Sequence, residues 1–179
     1  MTRLTALGQI LHEEHFRILI WICDLQNRVS GEAGCQRPDM DNEQDRDELY
    51  DLIGSLDQMM AHHAFEEDMV FPLLRADGDR DLTSLLINEH AAIEPTAHLL
   101  RRLTLEILRH GPGNGRWMAF RKVAQDLFSE MIGHMEKEEL TILQKLDSLL
   151  DPEIDHRLAL QHVSMRVVAV AASNTTSPR

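Results

Sequence analysis

Apolar residues recur at intervals of three and four along four long stretches of this 179-residue chain, and no segment alternates with period two. Leu4, Leu7, Leu11, Ile18, Ile22 and Leu25 form one stripe, and Leu49, Leu52, Leu56, Met59, Val70 and Leu74 a second. Leu82, Leu86, Ile93, Ala97, Leu100 and Leu103 make the third, Phe120, Val123, Leu127, Met131 and Ile142 the fourth. Turn chemistry separates them: Ser30 to Asp41 with two Gly and a Pro, Ala76 to Asp81 (ADGDRD), His110 to Gly115 (HGPGNG), and Asp151-Pro152. The pattern predicts helices near 3–29, 43–75, 81–109 and 115–149 and a shorter fifth near 153–171, with Pro72 and Pro95 kinking the second and third. Each stripe must be covered by another helix, and short connections favour antiparallel neighbours. The expected fold is therefore all-α, an up-down-up-down four-helix bundle over residues 1–150, with a C-terminal helix over 151–172 and a disordered tail over 173–179.

Charge narrows the partners. Eighteen Lys and Arg against thirty Asp and Glu give a net charge of −12, which repels phosphate backbones and anionic lipid, so neither nucleic acid nor membrane is expected. The longest apolar runs, Ile18 to Cys23 and Val167 to Ala172, are six residues each, against roughly 20 for a spanning helix. Arg3 precedes only a weak apolar stretch that soon meets His12, Glu13 and Glu14, unlike a signal peptide, and a cytoplasmic address follows. Cys23 and Cys35, twelve apart and without a CxxC pair, read as free thiols.

Histidine carries the chemistry. The chain has ten, and His62, His63, His90 and His134 are each followed four residues later by Glu. Such pairs are common on exposed helix faces, where each stabilises by roughly 0.2–0.5 kcal/mol, so position on the helix separates the readings. His63 and Glu67 share the stripe of Leu52, Leu56, Met59, Val70 and Leu74 and are expected to point inward. His62 and Glu66, rotated by about 100° to the side of Asp51, Ser55 and Gln58, read as an ordinary surface pair. His134 and Glu138 repeat the inward pattern among Leu127, Met131 and Ile142, while His15 and His90 sit on the inward stripes of their own helices. Inward carboxylates are costly without positive partners, and no matching inward Lys or Arg is present. A cation held by imidazoles and carboxylates one helical turn apart removes that cost.

Depth supports the convergence. Counted from the predicted helix ends at about 1.5 Å per residue, His15, His63, His90 and His134 fall within about 10 Å of one level. The chain also reads as a doubled unit: Glu14-His15 then His63-x3-Glu67-Asp68 is echoed by Glu89-His90 then His134-x3-Glu138-Glu139, at offsets of 75 and 71 residues. A pseudo-twofold bundle suits two metals. Four imidazoles and two bridging carboxylates supply about eight of the roughly twelve positions of two octahedral ions, and an oxo or hydroxo bridge takes two more. Open positions remain for an outside ligand, as reactive sites require.

The order His, HxxxE, His, HxxxE on successive helices resembles the hemerythrin-like, or HHE cation-binding, family over about residues 7–149. The carrying segments are LHEEHFRIL around His15, HHAFEEDMVFPLL around His63 and Glu67, INEHAAIE around His90 and HMEKEELTIL around His134 and Glu138. The resemblance implies two iron ions in a non-haem, oxo- or hydroxo-bridged centre with the two Glu as bridges, carried here onto His15, His63, Glu67, His90, His134 and Glu138. Imidazole and carboxylate also suit other divalent metals. Oxygen-carrying hemerythrins have HxxxH on the third helix, where this chain has Glu94 ahead of Pro95; Glu94 is an additional candidate ligand or a hydrogen-bond acceptor for an imidazole. His98, two turns beyond His90, needs the Pro95 kink to reach the site; His12 sits one turn from His15, and His110, His156 and His162 read as structural.

The resemblance implies a protein that binds or reacts with O2, NO or peroxide. A likeness to proteins that repair iron centres after nitrosative or oxidative stress gives iron storage or donation as an alternative, although their cysteine-containing N-terminal extension has no counterpart here. Ferritin-like carboxylate proteins need ExxH on two helices, whereas these pairs run His to Glu. A third reading, a metal-dependent sensor or interaction module, would act through the fifth helix, whose Ile154, Leu158, Val163, Val167 and Val170 can cap the bundle or pair in a homodimer.

Overall fold

The computed structural model describes residues 4–30 and 37–175, with side chains through residue 164. Every regular element among them is a helix: α1 (Ala6–Ser30), α2 (Glu43–Phe65), a π-helical turn (Glu66–Val70), α3 (Phe71–Ala76), α4 (Arg80–His110), α5 (Asn114–Leu149) and α6 (Pro152–Thr175). The expected spans are met to within a few residues, with the second helix continuing through the π turn into α3. The tail expected from Ser173 lies, for residues 176–179, outside the described residues.

The boundaries follow from local chemistry. Asn42 caps α2 by accepting the Gln44 N–H at 2.9 Å. Gly78 and Gly111 adopt positive φ, 109° and 74°, and stop α3 and α4 where a side chain would be strained. Asp151 accepts the N–H groups of Glu153 and Ile154, both at 2.9 Å, and Pro152 starts α6 where its missing N–H costs nothing. Pro72 cannot donate to the carbonyl of residue 68. The turn before it has opened so that the Phe71 N–H reaches Glu66 O, five residues back.

Packing closes a ring, with α1 against α2 and α5, and α4 against the same two. α6 lies along α1. Its Asp155 carboxylate accepts the Ala6 and Leu7 N–H groups at 2.7 and 2.9 Å, capping α1 from outside the ring. The core is two apolar clusters with a polar layer between them. Leu7, Leu11, Phe71, Leu74, Leu86, Ile142, Leu146 and Leu158 belong to one; Ile18, Ile22, Met59, Ile93, Ala97, Leu127 and Met131 to the other. At roughly 1.5–3 kcal/mol per large buried side chain, these clusters offset the cost of the layer they enclose. No helix among the described residues is long and apolar enough to cross a membrane.

Candidate metal centre

Each ring helix changes from one apolar cluster to the other across buried polar residues: Glu14 and His15 on α1, His62, His63 and Glu66 where α2 meets the π turn, His90 on α4, and His134 and Glu138 on α5. The common level expected from counting residues is where these side chains meet. His15 and His62 bring their Nε2 atoms to 3.0 Å, and so do His90 and His134. Two donors at right angles on one ion, each at roughly 2.1 Å, stand about 3.0 Å apart.

Glu66 and Glu138 lie between the two imidazole pairs and are fully buried. Glu66 turns Oε1 toward His15 and His62, at 3.6 and 3.4 Å from their Nε2 atoms, and Oε2 toward His90 at 3.6 Å. Glu138 turns Oε2 toward His15 at 3.4 Å and Oε1 toward His90 and His134 at 3.6 and 3.2 Å. Each carboxylate thus offers one oxygen to each pair. Donor atoms of His15, His62, Glu66 and Glu138 all lie within 4.8 Å of one another, as do those of Glu66, His90, His134 and Glu138, and of His63, His90 and His134.

Outer carboxylates fix the imidazoles. His62 Nδ1 donates to Glu14 at 2.8 Å, His15 Nδ1 to Glu139 at 2.7 Å, His90 Nδ1 to Glu67 at 2.8 Å and His134 Nδ1 to Glu89 at 3.1 Å. With an Nδ1 proton held by each of these acceptors, all four Nε2 atoms face inward, where a metal would take the place of any proton on them. His63 is fully buried and stacks on His90 with centroids 3.9 Å apart.

The donor set fits a cation on its unmet hydrogen bonds. Both oxygens of Glu66, both of Glu138 and both nitrogens of His63 are buried without a hydrogen-bond partner, a costly arrangement unless something else binds them. Burial pushes the Glu66 carboxyl up, but His62 and His15 hold it well below the usual carboxylate range. For Glu138, burial and the charge of Glu66 act upward, and His134 and His90 outweigh them, so it too is lowered. Burial and the neighbouring His90, His62 and His134 push His63 well below its ordinary value, leaving a neutral ring with a free lone pair. Two anionic carboxylates and a neutral His63 suit a divalent metal directly. At His15, His62 and His90 burial acts downward, but the carboxylates around them outweigh it, raising His15 to about 9 and the other two above their ordinary value, so a metal there displaces protons.

The sequence-predicted residues His15, His63, His90, His134 and Glu138 are all brought into this layer. Glu67 is placed one step outside it, about a third exposed and hydrogen-bonded to His90, and Glu66 takes the central position. The surface reading of His62 and Glu66 is overturned: both are buried, at 3% and 0% exposure. Neighbouring helices cover α2 over an arc wide enough to bury His62 and His63 together. The doubled unit already held the signal. His62-x3-Glu66-Glu67 matches His134-x3-Glu138-Glu139 as HxxxEE at a uniform offset of 72 residues, whereas the His63 register ends in Asp68.

Glu94, the additional candidate, is only partly buried and is not in any of these donor groups, and His98 is exposed on α4. His12 is half exposed and bonds Glu139 at 2.9 Å, reaching His15 only through that carboxylate. His162, expected to be structural, is buried and hydrogen-bonded to Glu14. Cys23 is a free, exposed thiol; Cys35 lies outside the described residues.

A helical ring around a layer of imidazoles and shared carboxylates defines a metal-binding bundle. The chain belongs to the hemerythrin family: the model of the hemerythrin HHE cation binding domain matches residues 9–146. No curated protein and no solved structure matches the chain.

Proposed function

We propose that this chain is a non-haem di-iron protein that binds or reacts with a small oxidant or diatomic ligand, O2, NO or peroxide. The observation that carries the reading is the pair of buried carboxylates, Glu66 and Glu138, each presenting one oxygen to each of two imidazole pairs. One ion would be held by His15, His62 and the two carboxylates, the other by His90, His134, His63 and the same carboxylates. The first has four protein donors and the second five, so coordination positions remain for an outside ligand. Bound iron would supply the redox and ligand-binding chemistry that no side chain here can supply.

The protein's own residues do the rest. Glu14, Glu67, Glu89 and Glu139 orient the four imidazoles. The apolar clusters on both sides exclude water, which strengthens every charge interaction within the layer. In this reading residues 1–150 are the metal-binding unit, an up-down-up-down bundle, and α6 is an addition to it.

Protein purified aerobically is expected to hold about two irons per chain with near-ultraviolet absorption from an oxo or hydroxo bridge. After reduction, O2 and NO should each change the spectrum without releasing iron. Iron that leaves on reduction would favour storage or donation instead. A chain that folds but takes up no metal would refute the centre altogether.

A further inference from the structure

The two halves of the metal layer are related by the doubled unit, and one difference between them lies in the carboxylates that orient the imidazoles. Glu14 on α1 corresponds to Glu89 on α4, each accepting from an imidazole of the next long ring helix, His62 and His134 respectively. Glu89 has a second donor from that same neighbour: Lys137 Nζ at 2.8 Å. The residue 72 positions before Lys137 is Phe65, a buried side chain with nothing to donate. Glu14 takes its second donor from α6 instead. His162 Nε2 stands 2.9 Å from both Glu14 oxygens, and its ring rests on Phe65 with centroids 4.1 Å apart. Phe65 is thus the floor on which the substitute donor sits.

The resulting chain, His162 to Glu14 to His62, is buried throughout, at 3%, 7% and 3% exposure. Its counterpart is open, Lys137 and Glu89 being 43% and 22% exposed. α6 is also tied to α1 two turns earlier through Asp155, so these two polar anchors lie on the helix that carries His15. None of α6 falls within residues 9–146, the span matched by the family.

We propose that His162 is a positioning residue for the metal held by His15 and His62, so that docking of α6 and occupancy of that half of the centre stabilise each other. Glu14 can hold the Nδ1 proton of His62 in place only while its own orientation is fixed, and His162 fixes it. A bound ion locks His62 Nε2 and, through Glu14, retains α6. By linkage, whatever α6 contributes to metal affinity, metal returns to the docking of α6. The inference rests on the metal reading above.

The test uses the full chain and Co(II), whose visible bands report coordination. Stoichiometry is read first: a wild-type chain that binds no Co(II) overturns the metal reading itself, and this inference with it. With two ions bound, hydrogen exchange over residues 152–164 should slow relative to the metal-free chain. Loss to a chelator should occur in two phases. Removing a group that orients a ligand typically costs 10–100-fold in affinity, and His162 acts one step further out, so His162→Ala should speed one phase by about 3–10-fold and alter the Co(II) bands. His162→Gln, which keeps an N–H donor near the Nε2 position, should restore both. If His162→Ala fails to fold, the Gln variant and the wild-type exchange data still decide. Equal loss rates and bands in wild type and His162→Ala, or α6 exchange indifferent to metal, would overturn the proposal.

Discussion

His63 lies flat against His90, with ring planes 7° from parallel, and meets His134 edge-on at 5.2 Å. Its place in the doubled unit is taken on α5 by Met135, also buried, so His63 is a donor present in one half of the layer only. In the proposed two-metal centre the two positions would therefore differ in their protein donors.

That asymmetry makes His63→Met informative, because the substitution installs the residue the other half already uses. An unpartnered buried polar group costs about 1–3 kcal/mol, so the metal-free variant should be more stable than wild type by roughly that amount in urea unfolding. Its metal should be lost at least about tenfold faster from one position. A variant with unchanged metal retention would remove His63 from the donor set.

Glu66 and Glu67 separate the two registers of the second helix. Glu66→Gln replaces one of the two carboxylate oxygens that span the imidazole pairs and should leave fewer than two metals per chain by elemental analysis. Glu67→Gln alters only the acceptor for His90 Nδ1; it should keep full stoichiometry and weaken binding by roughly 10–100-fold. The opposite ranking would place Glu67 at the centre.

Glu138→Gln should match Glu66→Gln in stoichiometry, because both carboxylates span the same two imidazole pairs. Its effect should far exceed that of Glu139→Gln, which touches only His15 and His12. Equal losses from Glu138→Gln and Glu139→Gln would contradict the bridging arrangement.

Phe120 tests whether fold and site are separable. It is buried in the apolar cluster beyond the imidazole layer and stacks on Trp117 with centroids 5.2 Å apart. Phe120→Ala should lower stability by about 3–5 kcal/mol, seen as a reduced urea midpoint with unchanged slope, while metal per chain stays as in wild type. Loss of metal in the folded variant would show that this cluster positions the site directly.

Periodicity of three and four over long stretches is enough to specify helices, because only a helix puts such residues on one side. The turn residues around Gly78, Gly111 and Pro152 are enough to end or start them. Histidines at matching depths on four helices likewise identify a metal layer, since no core has use for so many unpaired imidazoles and carboxylates. These features are local, or follow from helix rise alone, and were legible without coordinates. The choice between His62-Glu66 and His63-Glu67 was not. Adjacent residues on a helix differ by about 100° in direction, and an apolar stripe locates a face to no better than that. Which direction meets the other carboxylate is decided by where α1 and α4 lie against α2 and by the π turn that begins at Glu66. His162 was further from view still. A histidine about a hundred residues along the chain from His62 joins the site only because α6 folds back along α1 and Phe65 stands on α2 where α5 has Lys137. That is a property of packing between distant segments, which no pattern within either segment encodes.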